Sequence, residues 1–327
     1  MQHWVEEAVQ DALEGIAPSD ETMLCLMALD EHSAEAAHVC WAAQAMTRKA
    51  SGNRAQIYAQ IGVDMLPCPM DCGFCTLARR NAADDVLYRN SDELIVPTED
   101  IAAYARVFDD AGVHLISLMS TAALPFERYL KIVSAVRDAV RDDQVIMINA
   151  GDMSLEQAQK LKQAGAQMAY HANRLGEGEI TRIPPSTRLR TIANIKEAQL
   201  GFMTAVEPVH VASSATQILE HMHEIIEQRP YCSGVGGLHA VAGTAMQDAT
   251  PVSKVRLRLL ASTMRLLAGE TIPFGTGGAN VLWADAGTNP RGRDLCGDHD
   301  FLRRDVARLR KALAGDGWEV PARPIYK

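Results

Sequence analysis

The chain has 327 residues, 47% of them apolar, enough for one large domain or two small ones around a substantial buried core. A net charge of -9 and a pI near 5.6, with no dense run of Lys or Arg, exclude a nucleic-acid partner, because phosphate binding needs a basic face; small-molecule or protein substrates are expected instead. No apolar run is long enough to span a bilayer, and the acidic, helix-periodic start MQHWVEEAVQDALEG lacks the basic and apolar regions of a signal peptide, so the expected setting is the cytoplasm, without a membrane.

The first ~50 residues read as a helical cap. From about residue 55 to 285 a repeated grammar of helix, small-residue stop and short apolar strand takes over. AQIYAQIGVD is the first strand. Helix DIAAYARVFDDAG leads into VHLISLMS, FERYLKIVSAVRDAVRDD into QVIMINAG, and SLEQAQKLKQAG into AQMAYHAN. TRLRTIANIKEAQ then leads into LGFMTAVEPV, ATQILEHMHEIIEQRP into CSGVGGLHAVAG, and KVRLRLLASTMRLLAG into ETIPFGTGGANVLWAD. Strands alternating with helices specify parallel β/α architecture, and continuous apolar strands imply that both sheet faces are covered. Units recur about every 30 residues with no linker rich in Pro, Gly or Ser. The expected fold is α/β: a single (β/α)₈ TIM-type barrel, complete or nearly so. The expected organisation is a helical cap over residues 1–50 and a barrel over 51–327, ending in the helix LRRDVARLRKALAGDGWEV.

Three of the seven cysteines, Cys68, Cys72 and Cys75, fall in LPCPMDCGFCTLARRN, the loop after the first strand, where barrel enzymes place their chemistry. In the cytoplasm such a cluster points to metal or catalysis, not to disulfides. Structural zinc wants four ligands, usually as two paired knuckles, and no second pair answers this one. Three thiolates suit a cubane [4Fe-4S] cluster with one iron left open for a small molecule. A noncatalytic metal-binding scaffold is the alternative of a different class.

C-x3-C-x2-C after the first barrel strand, with the aromatic Phe74 before the last cysteine, resembles the signature of radical S-adenosylmethionine (SAM) enzymes. The likeness is strongest to the biotin synthase-like group, which also holds the hydrogenase maturase HydE and methylornithine synthase. It runs from about residue 50 to the C-terminus through GNRAQIYAQIGVDMLPCPMDCGFC, MSLEQAQKLKQAGAQMAYHAN and GGANVLWADAGTNP. The resemblance implies a [4Fe-4S] cluster on Cys68, Cys72 and Cys75. Its open iron would bind SAM, whose reductive cleavage yields a 5′-deoxyadenosyl radical that takes hydrogen from a small-molecule substrate. An electron donor such as flavodoxin or ferredoxin is implied as partner. By the same resemblance Asn173 and Glu177 meet the ribose or substrate, and Arg182 or Arg188 pairs with the methionyl carboxylate. Glu207 meets the adenosyl part, and the backbone at Met119 and Ser120 meets the methionyl amino group. Biotin synthases carry further cysteines on inner strands for a sulfur-donating cluster. The comparable strands HLISLMS, VIMINAG and GFMTAV have none, so sulfur insertion would need an unusual auxiliary cluster, with Cys296 its best candidate ligand.

Other residues carry bland readings. Cys25, Cys40 and Cys232 read as incidental or buried thiols, and the strand methionines as flexible core filler. His171 and His210 fall near strand ends and read equally as substrate contacts or as hydrogen-bonded wall. Asn149 could line the cavity, whereas Asp152 or Ser154 reads as the cap of the next helix. GVGG and GTGG are explained by close backbone packing and do not complete a phosphate-loop pattern.

Overall fold

Short apolar runs alternating with amphipathic segments give a chain in which strands and helices take turns along most of its length. The computed structural model describes residues 1–79, 94–288, 295–296 and 299–324. In chain order the elements are α1 (His3–Leu13), α2 (Asp20–Met27), α3 (Ala34–Ser51), β1 (Gln56–Gly62), α4 (Thr98–Asp110), β2 (Leu115–Met119), α5 (Phe126–Ala139), β3 (Val145–Asn149), α6 (Leu155–Gln163), β4 (Met168–Tyr170) and α7 (Pro185–Glu197). Then come β5 (Gly201–Met203), β6 (Val206–Val209), α8 (Ala215–Gln228), β7 (Cys232–Ser233), β8 (Val235–Gly237), α9 (Lys254–Ala268), β9 (Phe274–Gly275), β10 (Val281–Thr288), β11 (Leu295–Cys296) and α10 (His299–Gly315).

Helix starts are written locally. The hydroxyls of Ser19, Ser33, Ser154, Ser214 and Ser253 each accept a backbone N–H of the first turn, worth about 1 kcal/mol apiece. At α6 the cap is Ser154, in a reciprocal box with Gln157, which leaves Asp152 for other work.

The main sheet runs β11-β10-β1-β2-β3-β4-β5-β7-β9, so apart from β10 and its antiparallel neighbour β11 the strands lie in chain order. This is the parallel, nearly closed (β/α) barrel expected from the sequence. Register lines up Gln60, Ser117, Met147 and Met168 across four strands, and Gly62, Met119 and Asn149 two steps further on. Three segments expected as single strands split. LGFMTAVEPV gives β5 and β6, and CSGVGGLHAVAG gives β7 and β8; β6 and β8 pair with each other in a separate two-stranded sheet. ETIPFGTGGANVLWAD gives β9 and β10, which lie towards opposite ends of the main sheet. The cause is visible at the break, where Gly275, Thr276, Gly277 and Ala279 all have positive φ, and a strand cannot continue through them.

Two compact units divide the chain. One gathers Met1–Ala55, Met203–Ala240 and Asp248–Val281. Its core joins Val5, Val9, Leu26, Val39, Leu259 and Leu266, all at most 1% exposed, so α3 packs on α9 as barrel helices pack on one another. Burial of each such side chain contributes about 1.5–3 kcal/mol. The turn between β9 and β10 is held from three directions. Fully buried Arg265 donates to the carbonyls of Gly269, Ile272, Gly275 and Thr276, and burial brings its guanidinium down to about 10. The Asn280 amide accepts from Gly275 N and donates to Arg54 O, just ahead of β1. Gly277 lies so close to α9 that a Cβ would fall 2.7 Å from Ser262 Cα.

The other unit comprises Gln56–Phe202, Val241–Gln247 and Leu282–Lys327. Here Ile57, Ile61, Ile116, Leu118, Ile146 and Ile148 are fully buried, on strand positions that alternate with the register row above. α4 and α10 pack beside β1. His114 ties the start of β2 to the C-terminal tail: Nδ1 accepts from Ile57 N and Nε2 donates to Pro321 O, both at 2.9 Å.

Candidate functional site

β1 ends at Gly62, and the chain turns at once through a clamp that the sequence did not reveal. Asp64, 2% exposed, accepts from Thr121 Oγ1 at 2.6 Å, Thr121 N at 2.9 Å and Leu66 N at 3.1 Å. One carboxylate thus joins the entry of the cysteine loop to the exit of β2. Burial raises the Asp64 carboxyl, against the pull of the Thr121 hydrogen bonds. A charged residue ending an apolar strand was the signal available.

The cysteine loop closes on itself through backbone bonds: Cys68 N donates to Leu77 O at 2.7 Å, Arg79 N to Cys68 O at 2.9 Å, and Cys75 N to Cys72 O at 3.1 Å. Gly73 sits between two neighbouring segments, donating to Ile180 O at 2.7 Å and accepting from Met246 N at 2.9 Å. A Cβ there would meet Ile180 O at 3.0 Å, so the loop needs glycine between Cys72 and Phe74. All three cysteines are half-buried and none is in a disulfide. Burial pushes the Cys72 thiol up to about 11, opposed by the Arg174 and Arg188 charges and reinforced by Cys75 and Cys68; burial also raises Cys75, and Cys68 adds to that rise. The sulfurs therefore feel one another and two cations. Around one zinc ion they would be drawn to within about 3.8 Å of each other, given Zn–S bonds of about 2.3 Å. Among the described residues no three His, Cys, Asp or Glu side chains form such a group. A donor set of three neighbouring thiols, short of a fourth and faced by arginines, fits an anionic cubane cluster.

Behind the loop lies an ion network built from β3, β4 and α7. Arg188, 5% exposed, donates from Nε to Glu177 at 3.2 Å and from Nη1 to Asp152 at 3.1 Å. Asp152 also meets His171 Nε2 and Thr191 Oγ1, each at 3.0 Å. Glu177 further accepts from the Thr181 hydroxyl and Arg174 N. Burial alone would raise Asp152, but the His171 hydrogen bond and the Arg188 charge win and hold it at about 2. Burial lowers His171 despite that same bond, so the neutral ring donates to an ionised carboxylate. Two of the five guanidinium N–H donors of Arg188 are used by these carboxylates.

Sequence-predicted residues fall into distinct places. Phe74 lies under the Arg174 guanidinium, 5.6 Å from centroid to Cζ. Asn173 is buried in the segment that follows β4, between His171 and Arg174 in the sequence. Met119 O accepts from Val63 N, and Ser120 N donates to Asn149 O, fixing the β2 exit between its neighbours. Arg182, by contrast, is 72% exposed and pairs with Asp71 at 3.4 Å. Glu207 belongs to the other unit, on β6, with its side chain against Gly236. His210 is in a β-bridge with Pro251 in that unit as well. The Cys296 side chain lies outside the described residues. Asp152, expected mainly as a helix cap, is instead the hub of the ion network. Two cavities border the loop: one of about 400 Å³ beside Gly73, Ile180 and Met246, and one of about 330 Å³ with Met70, Ser120 and Asp152 on its walls.

No family model matches the chain. It is similar to the biotin synthase of Synechococcus sp. (strain CC9605), 26% identical over 242 residues that cover 69% of this chain and 70% of that one. The biotin synthase of Desulforudis audaxviator (strain MP104C) is 24% identical over 280 residues, 84% and 83% of the two chains. Among solved structures, methylornithine synthase (PylB) has the same fold, with a TM-score of 0.79 over 96% of this chain and 97% of that one at 17% identity. The hydrogenase maturase HydG matches 98% of this chain and 76% of its own with a TM-score of 0.75 at 13% identity. With the cysteine triad on the loop after β1 of a (β/α) barrel, and a likeness to biotin synthases that spans most of the chain, this protein is similar to the biotin synthase-like group of the radical S-adenosylmethionine superfamily.

Proposed function

We propose that the protein is a radical SAM enzyme that uses a [4Fe-4S] cluster on Cys68, Cys72 and Cys75 to act on a small molecule. The observation that carries this reading is three half-buried thiols on one closed loop, facing Arg174 and Arg188. When bound, the cluster supplies the electron that splits SAM reductively and so generates a 5′-deoxyadenosyl radical. The chain's own part is to bind, orient and exclude water. Arg188 is the better of the two arginines for the methionyl carboxylate: it is buried, its rotamer is fixed by Glu177 and Asp152, and it keeps unused donors for a bidentate partner. Arg182 is spent at the surface on Asp71. Ser120, with the Asp152 side of the network, borders the cavity of about 330 Å³ that also reaches Met70 of the cysteine loop, a suitable place for the amino-acid end of SAM. Asn173 and Glu177 are assigned to ribose or substrate, and Glu207 to the adenosyl part. Exposed Arg79, on the cysteine loop, would complement an acidic electron donor such as flavodoxin or ferredoxin.

Anaerobic reconstitution tests the proposal. About four iron atoms per chain, a brown charge-transfer absorption and formation of 5′-deoxyadenosine from SAM with dithionite are expected, and Cys→Ala at position 68, 72 or 75 should abolish all three. Bound metal without SAM cleavage would instead identify a scaffold, and about eight irons would favour an auxiliary cluster and sulfur insertion.

A further inference from the structure

Arg188 has its two carboxylates, but the second arginine at the cysteine loop is held in a different way. Arg174 opens the turn that follows β4: its N donates to Glu177 Oε2 at 3.1 Å, and Glu177 N donates back to Arg174 O at 2.9 Å, so the turn is closed from both ends. The guanidinium reaches across to the loop. Its Cζ stands 5.6 Å from the ring centroid of Phe74, the residue between Gly73 and Cys75. Gly73 is pinned by Ile180 O on one side and Met246 N on the other, which fixes the backbone from which the ring projects. Phe74 is half-buried and the Arg174 side chain is 20% exposed, so cation and ring meet where water and salt screen them weakly.

Two features separate Arg174 from Arg188. The Arg188 charge is matched at close range, with Nε 3.2 Å from Glu177 and Nη1 3.1 Å from Asp152. Arg174 Nη1 is 4.0 Å from the same Glu177, and its guanidinium lies over an uncharged ring. The second feature is reach. The Arg174 charge acts on both Cys72 and Cys75, and on Cys72 more strongly than the Arg188 charge does. A phenyl ring is an apolar seat: it keeps the cation near the sulfurs without adding a carboxylate to cancel it.

We propose that Arg174, seated on Phe74, eases one-electron reduction of the cluster held by Cys68, Cys72 and Cys75. The proposal rests on the radical SAM reading and adds to it. Reduction puts one more negative charge on a centre already made anionic by its thiolates, and a fixed cation beside it favours that step. A unit charge roughly 12 Å away, at an effective dielectric constant of about 20, changes such an equilibrium about tenfold. Arg174 exchanges no proton and no electron; the electron comes from an external donor, dithionite in the test. Arg174 is thus a positioning residue that works through the field at the sulfurs, with Glu177 and Phe74 holding it in place.

The test uses the full chain, reconstituted anaerobically with iron and sulfide and without SAM, and follows the EPR signal of the reduced cluster during dithionite titration with redox mediators. Arg174→Gln is expected to give about tenfold less reduced cluster at a fixed potential than the unsubstituted protein, a midpoint about 59 mV lower for a one-electron couple. Arg174→Met, which keeps the apolar stem and lacks the charge, should give the same fall and guards against a local defect peculiar to Gln. Arg174→Lys keeps a cation that can sit over the ring and should stay within about threefold of the unsubstituted protein. A change of less than about threefold in both neutral variants overturns the proposal. So does a Lys protein that falls as far as the Gln one, because packing and not charge would then be at work. Substituted proteins that take up no iron would assign the residue to cluster assembly and overturn it as well. Absence of a [4Fe-4S] signal from the unsubstituted protein strikes instead at the cofactor reading on which the proposal stands.

Discussion

Arg188 shows how much of a site can be decided by two carboxylates. Glu177 and Asp152 hold its guanidinium from one side, so replacing it by lysine keeps the charge and loses the fork geometry. Arg188→Lys is expected to raise the KM for SAM about tenfold or more while the iron content stays unchanged; SAM titration against 5′-deoxyadenosine formation measures it. Arg182→Lys, at an exposed pair worth at most about 1 kcal/mol, should leave that KM within about twofold. The three cysteines stood out in the sequence because their spacing puts all of them on one loop after β1, which is where the fold has them. Asp152 was only half legible: its neighbours Met153 and Ser154 spell a helix start, and its real partners His171, Arg188 and Thr191 come from β4 and α7, separations no local pattern encodes. Asp64 was missed for the same reason, since Thr121 lies on the next strand's exit.

At the scale of elements, the strands and helices before residue 200 follow the apolar periodicity closely, because each short run is bounded by its own stop. ETIPFGTGGANVLWAD misled because it read as one strand; its glycines do pack closely, as expected, but in a turn that separates two strands. That turn gives a direct prediction. Gly277 has φ +82 and faces Ser262 Cα, so Gly277→Ala adds both backbone strain and a clash with a helix backbone. A loss of about 2–4 kcal/mol is expected, seen as a lower Tm. Gly269→Ala is the informative control, since it also has positive φ, with ψ -128, but nothing within 4 Å, so it should show the backbone strain of about 1–3 kcal/mol without the clash.

Across the whole molecule, composition and charge turn the reading away from nucleic acid but do not reach the substrate. Acid sensitivity is also a property of the whole. His114 and His171 are buried and neutral, with pKa values lowered by desolvation below the ordinary 6.5. The unfolded chain therefore takes up their protons first, and their contribution is complete above about pH 6.5 and lost as pH falls below it. Asp152, held at about 2, keeps its contribution until pH drops below its unfolded value of 3.8. Asp64 is raised and acts in the opposite sense, becoming less costly as pH falls towards its own range. Between about pH 7.5 and 5.5 the histidines dominate, so Tm should decline across that interval. His114→Gln, which cannot be charged, should flatten the slope in scanning fluorimetry, and an unchanged slope would refute the assignment.

A chain trimmed to begin at β1 would keep every cysteine of the triad and still be a poor enzyme to make. The turn from Thr276 to Asn280 is too brief to contain a helix of its own, and α3 lies against α9 and β9. The leading segment thus does the covering that a (β/α) repeat would otherwise provide for itself, and cutting it away would bare the greasy flank of α9 to water and invite precipitation.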